Sequence, residues 1–132
     1  MLNRVIKAEP VRIIPLVVHA DERGDLISLE NGAPLPFEPV RLFFIRNVPT
    51  GKSRARHAVS CDMFLVLQVG SCNLHTRTSD GEQHIRMDDP NVGILVPAGT
   101  WLDLSGFSAD AIVLVMCSKP FDAVTYHNDP QI

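Results

Sequence analysis

The sequence predicts an all-β chain folded as a jelly roll. Short apolar runs rich in Val, Ile, Leu and Phe recur, separated by Gly, Pro, Asp and Asn. No long window sustains a helical period. Many short strands with tight turns in a chain of 132 residues point to a sandwich or a barrel, and a jelly roll is the preferred version.

The candidate strands follow in order. Val11–His19 and Asp25–Leu29 are short apolar runs interrupted by charge or proline, and Val40–Asn47 is a third. Arg54–Val59, RARHAV, is a basic segment just before the long apolar candidate Met63–Val69. Within the latter, FLVLQV is nearly continuous in apolar residues, as expected of a strand buried on both faces. Ser71–Thr78 alternates instead. Cys72, Leu74 and Thr76 face one way, and Asn73, His75 and Arg77 the other, so one face is wet. Asp80-Gly81 suits a two-residue type I′ turn, whose central positions both need positive φ, leading into Gln83–Met87. Gly93–Val96 precedes the turn signal Pro97-Ala98-Gly99, which leads into Thr100–Leu104 and the single tryptophan, Trp101. Ala111–Cys117 contains AIVLVM, again apolar throughout.

Length argues for one domain over 1–132, with a barrel core at about 11–118 and a polar C-terminal extension at 119–132. No internal repeat or linker stands out. Apolar residues make up 45% and charged residues 20%, which places the chain among globular proteins. A net charge of −3 gives no general reason to expect nucleic acid or an anionic membrane as partner. Cys61, Cys72 and Cys117 are odd in number and form no CxxC pair. They read as small hydrophobes in a reducing compartment. The N-terminus has only short apolar runs and resembles neither a signal peptide nor a membrane span. A cytoplasmic location is expected.

Lys52, Arg54, Arg56 and His57 fall within six residues. In a regular strand Arg54 and Arg56 share a face and His57 takes the other, unless a bulge intervenes. Two readings stay open. Basic residues blunt an exposed edge strand, and arginine forks bind phosphate or carboxylate. His57 is a candidate general base near neutral pH. His75 and His84 straddle the hairpin and can approach across strands, but they also read as two surface residues. His19 and His127 have no local partner pattern. No HxH pair exists anywhere, so neither a metal nor another cofactor is expected. Nor is there a GxSxG elbow or a glycine-rich phosphate loop before a helix.

A set of segments follows one distinctive order: DERGDLISLE (Asp21–Glu30), PFEPVRLFFIRNVPTG (Pro36–Gly51), RARHA (Arg54–Ala58) and QVGSC (Gln68–Cys72). DGEQHIRMDDPNVGILVPAGTW (Asp80–Trp101), GFSADAIVLVMCS (Gly106–Ser118) and FDAVTY (Phe121–Tyr126) continue it. This order resembles the sugar 3,4-ketoisomerases of the cupin superfamily, the WxcM-like group, over about Val11 to Tyr126. The resemblance implies a metal-free, homodimeric cupin barrel acting on a dTDP-linked 4-keto-6-deoxyhexose. Such enzymes move the carbonyl from C4 to C3, in deoxysugar or polysaccharide biosynthesis. It implies His57 as the catalytic base, matching the first histidine of the family's RGxHAH segment. Arg54, Arg41, Arg23, Trp101 and Tyr126 match further family positions and are implied substrate-binding residues; for Arg23 and Tyr126, turn anchoring or dimer packing is the alternative.

The departures fall at the same place. Val59 stands where the family has its second histidine, and Ala55 where it has glycine. Phe43-Phe44 replaces an aromatic pair that often contains tyrosine. Valine can neither shuttle a proton nor donate to an oxyanion, so the sequence is compatible with an isomerase and, alternatively, with a non-catalytic cupin that binds a sugar nucleotide or other small anion.

Overall fold

The structure, a computed structural model, describes residues 10–121 and 125–128. Its strands are β1 (Arg12–Pro15), β2 (Val18–Asp21), β3 (Gly24–Ile27), β4 (Glu30–Asn31), β5 (Pro34–Leu35), β6 (Arg41–Arg46) and β7 (Arg54–Val59). They continue with β8 (Met63–Val69), β9 (Cys72–Thr78), β10 (Gly81–Met87), β11 (Val92–Val96), β12 (Trp101–Ser105), β13 (Ile112–Cys117) and β14 (Tyr126–His127). One five-stranded sheet runs β1-β11-β8-β13-β6 and a second runs β10-β9-β12-β7-β14. All pairings within these two sheets are antiparallel. The all-β jelly roll expected from the sequence is what forms, and the described residues contain no helix long and apolar enough to cross a membrane.

The main core lies between the sheets. Met63, Leu65 and Leu67 of β8 meet Leu102 and Leu104 of β12, with Leu74, Val113 and Val115 beside them. The alternate residues of β8, Phe64 and Val66, face away into a second cluster with Leu95 and Met116. Leu16 and Leu35, from the N-terminal part of the chain, cover that outer face. This is why the two apolar runs carry almost no polar residues: at the central strands β8 and β13 both faces of the sheet lose most of their water, at roughly 25 cal/mol per Å² of apolar surface. Gly93 makes the outer layer possible. A Cβ there would fall inside the Phe64 ring, so only glycine leaves room for it.

Three details differ from expectation. The first candidate strand divides into β1 and β2, which join different sheets. The β9–β10 hairpin forms where expected, with Thr78 paired to Gly81. Its connecting residues are Ser79 and Asp80, however, and positive φ falls on Gly81 (+125°) instead of on two central residues, so the type I′ geometry is not adopted. Finally, the expected C-terminal extension lies partly outside the described residues. Its described part supplies β14, which pairs Tyr126 with Val59 at the edge of the second sheet.

Candidate active site

The sheets part along one side, between edge strand β6 and the β7–β14 pair, and leave a cavity of about 360 Å³. Its floor is apolar, formed by Val59, Met63, Leu65, Leu102, Leu104 and Val115. Its polar lining includes Arg41, Arg54, His57 and Tyr126. An apolar pocket with a few convergent polar groups is the usual form of a small-molecule site.

A bulge in β7 brings Arg54 and His57 to the same cavity. Leu102 pairs with His57, Asp103 with Ala55 and Leu104 with Arg54, so Arg56 has no ladder partner of its own. Ala55 and Arg56 both adopt left-handed φ, +75° and +58°. The extra residue restores phase. Arg54 and His57 lie opposite Leu104 and Leu102, both cavity-lining, while the Arg56 guanidinium reaches Asp103 Oδ2 at 3.9 Å. The strict alternation considered from sequence would have separated the histidine from both arginines.

His57 is half-buried, and burial holds its pKa below the ordinary imidazole value; the positive charge of Arg54 pushes the same way. The free base is therefore the dominant form at neutral pH. The Tyr126 ring meets the His57 ring edge-on, with centroids 5.0 Å apart. Arg41 Nη1 donates to the Tyr126 hydroxyl at 3.1 Å. The same guanidinium stacks on Phe43 at 4.6 Å and Phe121 at 4.9 Å. β14 thus ties the His57 imidazole to the Arg41 guanidinium across the gap between the sheets.

Four of the six residues implied by resemblance meet here: His57, Arg54, Arg41 and Tyr126. Trp101 and Arg23 do not line the cavity. Trp101 lies between Thr100 and Leu102 in sequence, on the opposite face from cavity-lining Leu102 and Leu104, and its Nε1–H donates to the Asn128 carbonyl at 3.0 Å. Arg23 sits in the β2–β3 turn, paired with Asp21 at 2.7 Å and largely exposed. Val59, where the resemblance implies a second histidine, is 3% exposed and lines the cavity.

Cys61 and Cys117, whose sequence context marks them only as small core hydrophobes, both line the cavity. Cys117 hydrogen-bonds Cys61, which lowers the Cys61 pKa, while that contact and burial raise Cys117. Nothing local in the sequence signals this pairing, since fifty-five residues separate the two.

Comparison with known proteins gives a consistent picture. A family model described as FdtA, WxcM-like, C-terminal, matches residues 9–132. A TDP-4-oxo-6-deoxy-alpha-D-glucose-3,4-oxoisomerase from Aneurinibacillus thermoaerophilus is 30% identical over 107 residues, covering 80% of this chain and 77% of that protein. Among solved structures, the WlaRB TDP-quinovose 3,4-ketoisomerase from Campylobacter jejuni is 29% identical with a TM-score of 0.85, covering 90% of this chain and 92% of that one. The QdtA 3,4-ketoisomerase from Thermoanaerobacterium thermosaccharolyticum, a double mutant in complex with TDP, is 26% identical with a TM-score of 0.83. That match covers 90% of this chain and 87% of the other.

Proposed function

The chain belongs to the WxcM-like, FdtA family, and from that premise we propose that it is a sugar-nucleotide 3,4-ketoisomerase. The substrate is a dTDP-linked 4-keto-6-deoxyhexose, whose carbonyl moves between C4 and C3. The observation that carries the reading is His57: a half-buried imidazole, held as free base, beside Arg54 in a cavity with an apolar floor.

The chemistry follows from that arrangement. His57 takes the proton from C3, which the adjacent ketone acidifies. The C3–H electrons form a C3–C4 double bond, and O4 becomes an oxyanion. Arg54, which lines the same cavity and whose charge already acts on His57, stabilises that oxyanion. His57 then returns the proton to C4, while the O3 hydroxyl passes its proton to the O4 oxyanion, so that C3 carries the new carbonyl and C4 a hydroxyl. Arg41, braced by Phe43, Phe121 and Tyr126, is suited to the nucleotide's diphosphate, since a stacked guanidinium keeps its outer N–H groups free to donate.

The reading includes a homodimer. Leu42 and Phe44, on the outward face of edge strand β6, are 54% and 59% exposed and support one. Three buried, unpaired thiols fit a reducing, cytoplasmic setting.

Val59 supports a second reading, a cupin that binds the sugar nucleotide without turning it over. One experiment separates them. The protein is incubated with dTDP-4-keto-6-deoxyglucose in heavy water and the sugar is followed by NMR. Deuterium at C3, or the 3-keto isomer, is expected, and His57→Ala should remove both by at least about a hundredfold. Intact, unlabelled sugar in a protein that the nucleotide sugar stabilises thermally would replace the enzyme with the binding cupin.

A further inference from the structure

Outside the cavity, the β9–β10 hairpin gathers a second set of chemically active side chains. His75 and His84 are direct cross-strand partners, and their rings stack with centroids 4.2 Å apart and planes 10° off parallel. Glu82, two residues from His84, shares that face of β10. One donor atom from each of the three lies within 4.8 Å of the others. Leu74 and Thr76, the neighbours of His75 along β9, are buried on the other face, so this cluster and the barrel interior are separated by the sheet.

His75 is the fixed member. Its ring meets Trp101 edge-on at 5.5 Å. Its Nε2 is buried with no hydrogen-bond partner, and Glu82 Oε1, 3.5 Å away, is out of hydrogen-bonding geometry. A buried ring nitrogen left in that state is costly unless something else satisfies it. His84 and Glu82 are exposed.

We propose that His75, Glu82 and His84 form a site for a divalent transition-metal ion of the zinc type. Two imidazoles and one carboxylate are a donor set that zinc takes in three-ligand sites, with a fourth position left to solvent. Nitrogen donors disfavour magnesium and calcium. Bonds of about 2.0–2.1 Å to a tetrahedral ion place donor atoms roughly 3.3 Å apart, so binding contracts the cluster and splays the two rings. The sequence has no HxH pair, and this site needs none, because the hairpin register supplies the juxtaposition. Its role is a clamp on the hairpin, independent of the isomerase reading.

One neighbour works against the ion. Arg77 Nε lies 3.0 Å from Glu82 Oε1, and its guanidinium extends over the Trp101 ring at 5.9 Å. A cation held this near a metal ligand lowers affinity by Coulomb repulsion and by competing for the carboxylate. Removing it should tighten binding about tenfold.

The test is calorimetric titration of zinc chloride into chelator-treated protein, with thermal melting as a second readout. Saturable one-to-one binding at micromolar zinc is expected, together with a raised melting temperature. His84→Ala and Glu82→Gln, both at exposed positions, should weaken binding at least about tenfold, and Arg77→Gln should strengthen it. Absence of one-to-one binding would overturn the proposal. So would binding that survives both ligand substitutions but disappears in Cys61→Ser or His57→Ala, which would place the ion in the cavity.

Discussion

At the scale of single residues, His57 is set by what surrounds it. Burial and Arg54 both favour its neutral form. Protonation of the base should therefore limit kcat/KM only below the ordinary histidine value of 6.5. Arg54→Gln removes the repelling charge, raises the His57 pKa, and should move that acidic limb to higher pH while lowering kcat by roughly ten- to a hundredfold. An unmoved limb in a measured pH–rate profile would remove Arg54 from the base's environment. The same depression has a sign for stability. The unfolded chain binds a proton at His57 more readily, so this contribution is complete above 6.5 and is lost as pH falls through the folded value. The identities of His57, Arg54, Arg41 and Tyr126 were legible in the sequence through the ordered segments that carry the resemblance. The place of Trp101 was not. A residue's type shows that it prefers burial, while the face it takes depends on register, and β12 turns Leu102 and Leu104 inward instead.

At the scale of the element, β7 is the least legible strand. Positive φ is expected of glycine, asparagine or aspartate, and here it falls on alanine and arginine. Nothing in RARHAV announces a bulge, and without one alternation sets Arg54 on the face opposite His57. Left-handed backbone costs a Cβ-bearing residue about 1 kcal/mol. Ala55→Gly should therefore stabilise the protein by about 0.5 to 1 kcal/mol, seen as a higher urea midpoint at unchanged slope. A lower midpoint would mean that the Ala55 methyl, packed against the core, outweighs its backbone cost. By contrast, β8, β9 and β13 were readable nearly residue by residue. Their apolar pattern and their burial have one cause, a sheet covered on two faces or on one.

At the scale of the molecule, the two sheets were implied by many short strands, but their order was not. Which strand becomes an edge is decided by contacts distant in sequence. β14 illustrates this: two residues long, it exists only because Tyr126 and His127 pair with Val59 and Ala58. The exposed edge at β6 has a measurable counterpart. The wild-type chain should behave as a dimer by light scattering at micromolar concentration. Phe44→Glu, which sets a charge in the outward apolar face, should weaken self-association at least about tenfold. A monomeric wild type would remove the dimer from the proposed function.

The bulge in β7 also changes the arithmetic of deletion. Side chains on one face of a regular strand are separated by an even number of positions. Arg54 and His57 are three apart, and they share a face because Ala55 and Arg56 together stand opposite Asp103. Parity is thereby inverted in this segment. Losing one of the two intervening residues would leave arginine and histidine on the cavity side, whereas losing both, the harmless change elsewhere in a sheet, would turn one of them out of the barrel.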